Sequence, residues 1–235
     1  DWSSDVCSSD LAGEQRQIRV NYRVSDAGGL SDNAVFVINL TGTNDAPVAT
    51  YSTAQAITED ARDASGAPRK LSGQLTSTDP DAGSIRTYSL IGAAIDGLNI
   101  DASGSWSFNP SAASYQSLKE GQQRIIPVTY AVTDEQGASS QNTFNITLTG
   151  SNDAPIATYV AAQTTSEGNS PISGQLTASD IDRDASGNSD VLSFSLFNAQ
   201  FTDASGSNAI LVDASGLALT PDASGNFSAI DRKST

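Results

Sequence analysis

The feature that most constrains this chain is that it repeats itself. Residues 13–47 read GEQRQIRVNYRVSDAGGLSDNAVFVINLTGTNDAP, and residues 121–155 read GQQRIIPVTYAVTDEQGASSQNTFNITLTGSNDAP, a match displaced by 108 positions without a gap. A second match carries LSGQLT at 71–76 onto ISGQLT at 172–177, displaced by 101. The difference is absorbed around 63–69, and insertions of that size belong in surface loops. A recurring unit of this length implies an array of similar domains, each burying its own core.

The residues within the unit carry strand signals. Ile18, Val20, Tyr22 and Val24 alternate with polar residues, as do Phe36, Ile38 and Leu40, and the same phase recurs at Ile126, Val128, Tyr130, Val132, Phe144, Ile146 and Leu148. Alternation with period two predicts strands with one buried face. Asp26-Ala27-Gly28-Gly29 and Asp134-Glu135-Gln136-Gly137 separate the paired runs, so each pair predicts a hairpin. Further strands are expected near 48–57, 70–77, 85–91, 94–100 and 104–108, and only 114–120 hints at a helical turn. About seven short strands per hundred residues predict an all-β fold of tandem Greek-key β-sandwiches, cadherin-like or immunoglobulin-like. The expected layout is the end of a first repeat over 12–42, a complete repeat over 48–150 and a truncated third over 156–230, with short joints at 41–47 and 149–155.

Both ends carry a different signal. Cys7-Ser8-Ser9-Asp10 can be written TGC TCT TCC GAT, and the reverse complement of that string lies within a coding of Asp231-Arg232-Lys233-Ser234-Thr235. Residues 1–11 and 231–235 therefore resemble translated sequencing-adaptor sequence and are expected to be non-native scars. Cys7, the single cysteine, falls inside the first, so the remaining chain is expected to be stable without disulfides, through a sizeable core or bound metal. Net charge is −15, and residues 12–230 retain 23 acids against 10 bases. Such a surface repels nucleic acid and anionic membranes and is compatible with cations. No apolar run is long enough for a membrane span, so no membrane insertion is expected of this stretch.

The tetrapeptide Asp-Ala-Ser-Gly begins at 63, 101, 184, 203, 213 and 222. It lacks the alternating acids and terminal glutamate of an EF-hand and the nonapeptide period of a calcium β-roll. Hairpin turns are expected instead, with Asp bonding its own backbone and Gly leaving the turn.

Ile57-Thr58-Glu59-Asp60, Gly73-Gln74-Leu75-Thr76, Asp79-Pro80-Asp81-Ala82-Gly83, Tyr88-Ser89-Leu90, Val132-Thr133-Asp134 and Asn152-Asp153-Ala154-Pro155 together resemble the bacterial VCBS and cadherin-like repeat family. The resemblance implies a secreted extender or adhesive module of long bacterial adhesins and biofilm-matrix proteins, on the cell surface, stiffened by Ca2+ where repeats meet. At the first joint it implies ligands from Asn44, Asp45, Asp79, Asp81 and Asp134; at the second, from Glu59, Glu120, Asn152, Asp153, Asp180 and Asp182. The sequence departs from cadherins in having Gly42 and Gly150 where an aspartate is expected, and in keeping only the glutamate of Leu118-Lys119-Glu120. An ion held in this way ties the linker to the domains it joins, and modules of this kind bind calcium at around 10⁻⁴–10⁻³ M.

With no histidine and no Gly-x-Ser-x-Gly elbow, the chain lacks the parts of triad, zinc and nucleotide chemistry, and it is not expected to be an enzyme. The alternative is a carbohydrate-binding module. Trp106, Phe108, Tyr115, Tyr130 and Phe144 supply enough rings for a stacking platform if exposed, yet their phase predicts core. The expected partners are neighbouring repeats, with surface polysaccharide attached to the alternative.

Overall fold

The computed structural model describes residue 10, residues 12–158 and 172–195, and short pieces at 201–202, 208–209, 224 and 226–229. Both expected scars, apart from Asp10, lie outside the described residues, as do the Asp-Ala-Ser-Gly copies at 203 and 213 and most of the one at 222. The chain divides into two compact units, one of Asp1–Tyr115 with Gln123–Thr149, the other of Gln116–Gln122 with Gly150–Thr235. The fold is all-β: no helix occurs among the described residues, and 114–120 forms turns.

In the first unit the strands are β1 (Gln15–Ser25), β2 (Ser31–Thr41), β3 (Val48–Ala49), β4 (Gln55–Thr58), β5 (Leu71–Gln74), β6 (Ser77–Thr78), β7 (Thr87–Leu90), β8 (Leu98–Ile100), β9 (Ser105–Phe108), β10 (Gln123–Thr133) and β11 (Ser139–Thr149). β1 and β2 pair antiparallel, from Gln15 opposite Thr41 to Ser25 opposite Ser31. β10 and β11 repeat that register, from Gln123 opposite Thr149 to Thr133 opposite Ser139. β4, β11, β10 and β7 make a four-stranded sheet in that order, with β4 parallel to β11; β5, β9 and β8 make a three-stranded sheet; β3 pairs with β6.

The alternation seen in the sequence decides which side chains fill this core. Ile126, Val128, Tyr130 and Val132 of β10 and Phe144, Ile146 and Leu148 of β11 are all buried, as are Leu71, Leu75, Trp106 and Phe108 from β5, β9 and the adjoining turn. Trp106 and Phe144 join the two sheets at a centroid separation of 5.1 Å, and Tyr51 meets Phe144 edge-on at the same distance. Such contacts add about 0.5–1.5 kcal/mol each beyond the area they bury. The Tyr130 hydroxyl accepts from the Tyr51 backbone N at 2.9 Å and donates to the Tyr51 carbonyl at 3.1 Å, which satisfies the one polar atom of a fully buried ring. Gly73 makes room for the indole: a Cβ there would lie 2.8 Å from Trp106 Nε1.

The turns follow one recipe. Asp63 Oδ1 accepts from the Ser65 and Ala67 backbone N at 2.8 and 3.1 Å, and Gly66 leaves at φ +84°. Asp101 and Asp184 do the same in their own turns. The carboxylate oxygen is spent on the local backbone, so these three Asp-Ala-Ser-Gly copies are turn locks, as expected.

The second unit contributes β12 (Ile156–Ala157), β13 (Ile172–Gln175), β14 (Ala178–Ser179), β15 (Phe201–Thr202), β16 (Asn208–Ala209) and β17 (Asn226–Ala229). β12 pairs with β14, β13 with β17 and β15 with β16, all antiparallel. Within it Leu118 bridges to Arg183, and Lys119 forms an ion pair with Asp190.

Candidate metal centre

In the first unit the adjacent linker residues Asn44 and Asp45 each hydrogen-bond to acids from the following domain, Asn44 to Asp134 and Asp45 to Asp81, which bonds in turn to Asp79. Asp134 opens the β10–β11 turn, where its Oδ1 accepts from the Gln136 and Ala138 backbone N, both at 2.9 Å. Its Oδ2 is left for Asn44 Nδ2, at 2.9 Å across ninety positions of sequence. The next linker residue, Asp45, donates its backbone N to Asp81 Oδ2 at 2.9 Å. Asp81 in turn donates its own backbone N to Asp79 Oδ1 at 3.0 Å, and Asp79 Oδ2 accepts from Ser84 Oγ at 2.6 Å. Asn44 holds the Asp134 carboxyl below its ordinary range, with the turn's backbone N–H groups assisting against burial.

Asp81 is the informative member. It is 3% exposed, and its Oδ1 is buried with no hydrogen-bond partner. A buried carboxylate oxygen left unpaired is costly, and the usual remedies are a donor or a cation. The neighbouring side chains offer oxygens, the donor set of a hard divalent ion, so the residues present fit calcium.

The second unit repeats this backbone-to-carboxylate pattern. Asp153 donates its backbone N to Asp182 Oδ2 at 2.9 Å, and Asp182 donates its own to Asp180 Oδ1 at 3.0 Å. Asp182 is fully buried and its Oδ1 again has no hydrogen-bond partner. Asn152 differs from Asn44, because it is exposed and its Nδ2 turns to the Asp153 carbonyl at 3.2 Å. Glu120 is exposed in a turn. Glu59, in the first unit, is fully buried; its backbone N donates to the Thr149 carbonyl and its carbonyl accepts from Ser111 Oγ.

Two features were not anticipated from the sequence. Asp10, placed inside the expected scar, is buried and paired with Arg16 Nε at 2.7 Å. Glu135 closes the loop ahead of β7, its Oε2 accepting from the Ile85 backbone N at 2.8 Å. Neither belongs to a spacing that repeats, so only the folded contacts could have found them. The glycine at 150, in contrast, has a physical reason: a Cβ would lie 2.3 Å from the Lys119 carbonyl and 2.4 Å from that of Leu118. No side chain fits there, which accounts for the missing aspartate.

The rings proposed as a sugar platform are buried. Trp106, Phe108, Tyr115, Tyr130 and Phe144 are each no more than 3% exposed, so they offer no face to a ligand.

Residues 44–147 match the family described as Bacterial Ig domain. The stretch is an Ig- and cadherin-like β-sandwich. Among solved structures, the protocadherin gamma B2 extracellular cadherin domains 1–5 align at a TM-score of 0.50 and 15% identity, over 93% of this chain and 40% of that one. Human CDH23 EC21-23 aligns at 0.49 and 15%, over 93% of this chain and 65% of that one. In both cases the chain spans less than two thirds of the matched structure, and the first likeness, at 15% identity, speaks for the fold alone. A search of curated proteins finds no match. No helix among the described residues is long and apolar enough to cross a membrane.

Proposed function

We propose that this chain is an extender and adhesive segment of a large bacterial surface or biofilm-matrix protein, exported from the cell, whose repeats are stiffened by calcium at their joints. The observation that carries the reading is the buried Asp81 carboxylate. One of its oxygens is tied to the linker backbone at Asp45, the other has no hydrogen-bond partner, and the preceding linker residue Asn44 is bonded to Asp134. The same pattern at Asp153 and Asp182 supports a role that recurs with the repeat, as a structural ion site would and an active site would not. Asn44, Asp45, Asp79, Asp81 and Asp134 would hold the ion at the first joint, and Glu120, Asn152, Asp153, Asp180 and Asp182 at the second. Calcium supplies charge neutralisation among carboxylates that otherwise repel one another. Neighbouring repeats are the chain's partners in this role, and no catalytic step is assigned to it.

The test is a calorimetric calcium titration of the full chain, with thermal melts alongside. At about 10 mM calcium, an affinity in the extracellular range stabilises the bound state by ~1.4–2.7 kcal/mol. Asp81→Asn should lose most of that gain. Solution scattering should show a longer, stiffer particle with calcium than after chelation. An unshifted melt together with unchanged scattering dimensions would sink the calcium reading.

A further inference from the structure

Among the described residues, hairpin β1–β2 pairs with no other strand, and Tyr22, Val24, Phe36 and Ile38 lie between 38% and 61% exposed. Its counterpart β10–β11, displaced by 108 positions in the same register, is covered on that face and paired at both edges, β10 by β7 and β11 by β4. All seven apolar residues of the covered face recur unchanged in the bare one, Tyr22 for Tyr130 and Phe36 for Phe144 among them. On the opposite face no position from Gln17 to Arg23, or from Val35 to Asn39, repeats its counterpart: Arg19, Asn21 and Arg23 stand where β10 has Pro127, Thr129 and Ala131. On the opposite face only Gln15, Ser31 and Thr41, at the ends of the strands, repeat their counterparts, so through the body of the hairpin it is the apolar face that is matched to something.

A second β1–β2 hairpin packed face to face is a poor match. Two strands of eleven residues at about 3.4 Å per residue and about 10 Å of combined width offer roughly 370 Å². A stable interface needs about 800 Å² per partner. Such a dimer would also leave both strand edges bare.

We propose that the β1–β2 face is an acceptor for the complementary part of a sandwich, a polypeptide with the chemistry of residues 48–120. A β4-like strand of that partner pairs with β2, a β7-like strand with β1, and a sheet like β5–β9–β8 covers Tyr22 and Phe36, as Trp106 covers Phe144. A copy of 48–120 fits this face except for two bonds at its first short strand. Ser140 and Asn142, which bond the backbone of Ala49 at 2.8 and 3.1 Å, are replaced by Asp32 and Ala34, so its first short strand is held differently. Nothing in this assignment requires calcium.

The experiment extends the full chain at its N-terminus with an added copy of 48–120, joined to Gly13 as Glu120 joins Gly121, and follows amide hydrogen exchange without calcium. The amides of 15–41 should slow at least 100-fold, toward those of 123–149, and Phe36→Asp in the extended chain should restore fast exchange there while 123–149 stays protected. In a second measurement, a dye-labelled 48–120 polypeptide added to the unextended chain should bind saturably. Phe36→Asp should weaken that binding at least tenfold, and Val37→Asp, on the opposite face, should leave it intact. Unchanged exchange over 15–41 in the extended chain, or binding indifferent to Phe36→Asp, overturns the proposal.

Discussion

Hairpins β1–β2 and β10–β11 share a register and an apolar face, yet Phe36 is 49% exposed and Phe144 is 1% exposed. Tyr22 and Tyr130 differ as sharply, at 50% and 0%. The alternation of a strand states which face is to be covered and is silent about what covers it. An apolar face on a two-stranded ribbon contributes stability only when a second layer excludes water from it, and an isolated hairpin is marginal in water.

That difference sets the largest predicted effect. Phe144→Ala removes a ring packed against Trp106 and Tyr51 and should cost ~3–5 kcal/mol in urea unfolding of the full chain. Phe36→Ala, the same change on the bare hairpin, should stay within about 0.5 kcal/mol. Equal losses at the two sites would mean that β1–β2 is buried in solution, and the comparison would break.

A smaller effect tests the cover instead of the covered. Gly73→Ala places a methyl 2.8 Å from the Trp106 indole, which is wedged against Phe144 and has nowhere to retreat, so a loss of about 1–3 kcal/mol is expected. Near-UV circular dichroism should report the displaced indole. An unchanged spectrum with full stability would show that the sheet opens freely at β5.

The all-β class, the hairpins and the buried rings were legible because period-two alternation reports burial directly, at Ile126, Val128 and Tyr130 on one strand and at Phe144 and Ile146 on the other. The turn role of Asp63 and Asp101 was legible too, since an Asx turn is local in sequence. What alternation cannot report is the state of a face whose cover is encoded elsewhere, and so Tyr22 and Tyr130 look alike in sequence while differing in the fold. The acids behave likewise. Asp134 carries the turn signature that Asp26 carries, but its second oxygen is engaged by Asn44 from ninety positions away, and no local pattern contains that contact. Glu135 and Asp10 escaped for the same reason.

The smallest effect separates those two turn aspartates. Asp26 Oδ1 accepts from the Leu30 backbone N at 2.8 Å, which a turn of this kind secures by itself. Asp134 adds the Asn44 bond, and that bond is the first cause holding its carboxyl below the ordinary range. A carboxyl whose folded pKa is depressed contributes stability that is present above its unfolded value, near 3.9, and lost as pH falls through the folded value. Asn44→Ala should therefore lower the urea midpoint slightly at pH 7, and the gap from the parent protein should close as the solution is taken below the carboxylate range, where Asp134 is protonated in both. Asp26→Ala should leave the pH dependence of the β4–β11–β10–β7 sheet untouched, because Asp26 has no tie to that sheet. If the gap for Asn44→Ala persists undiminished in acid, the Asn44 amide acts through packing, and the electrostatic distinction between the two turns falls.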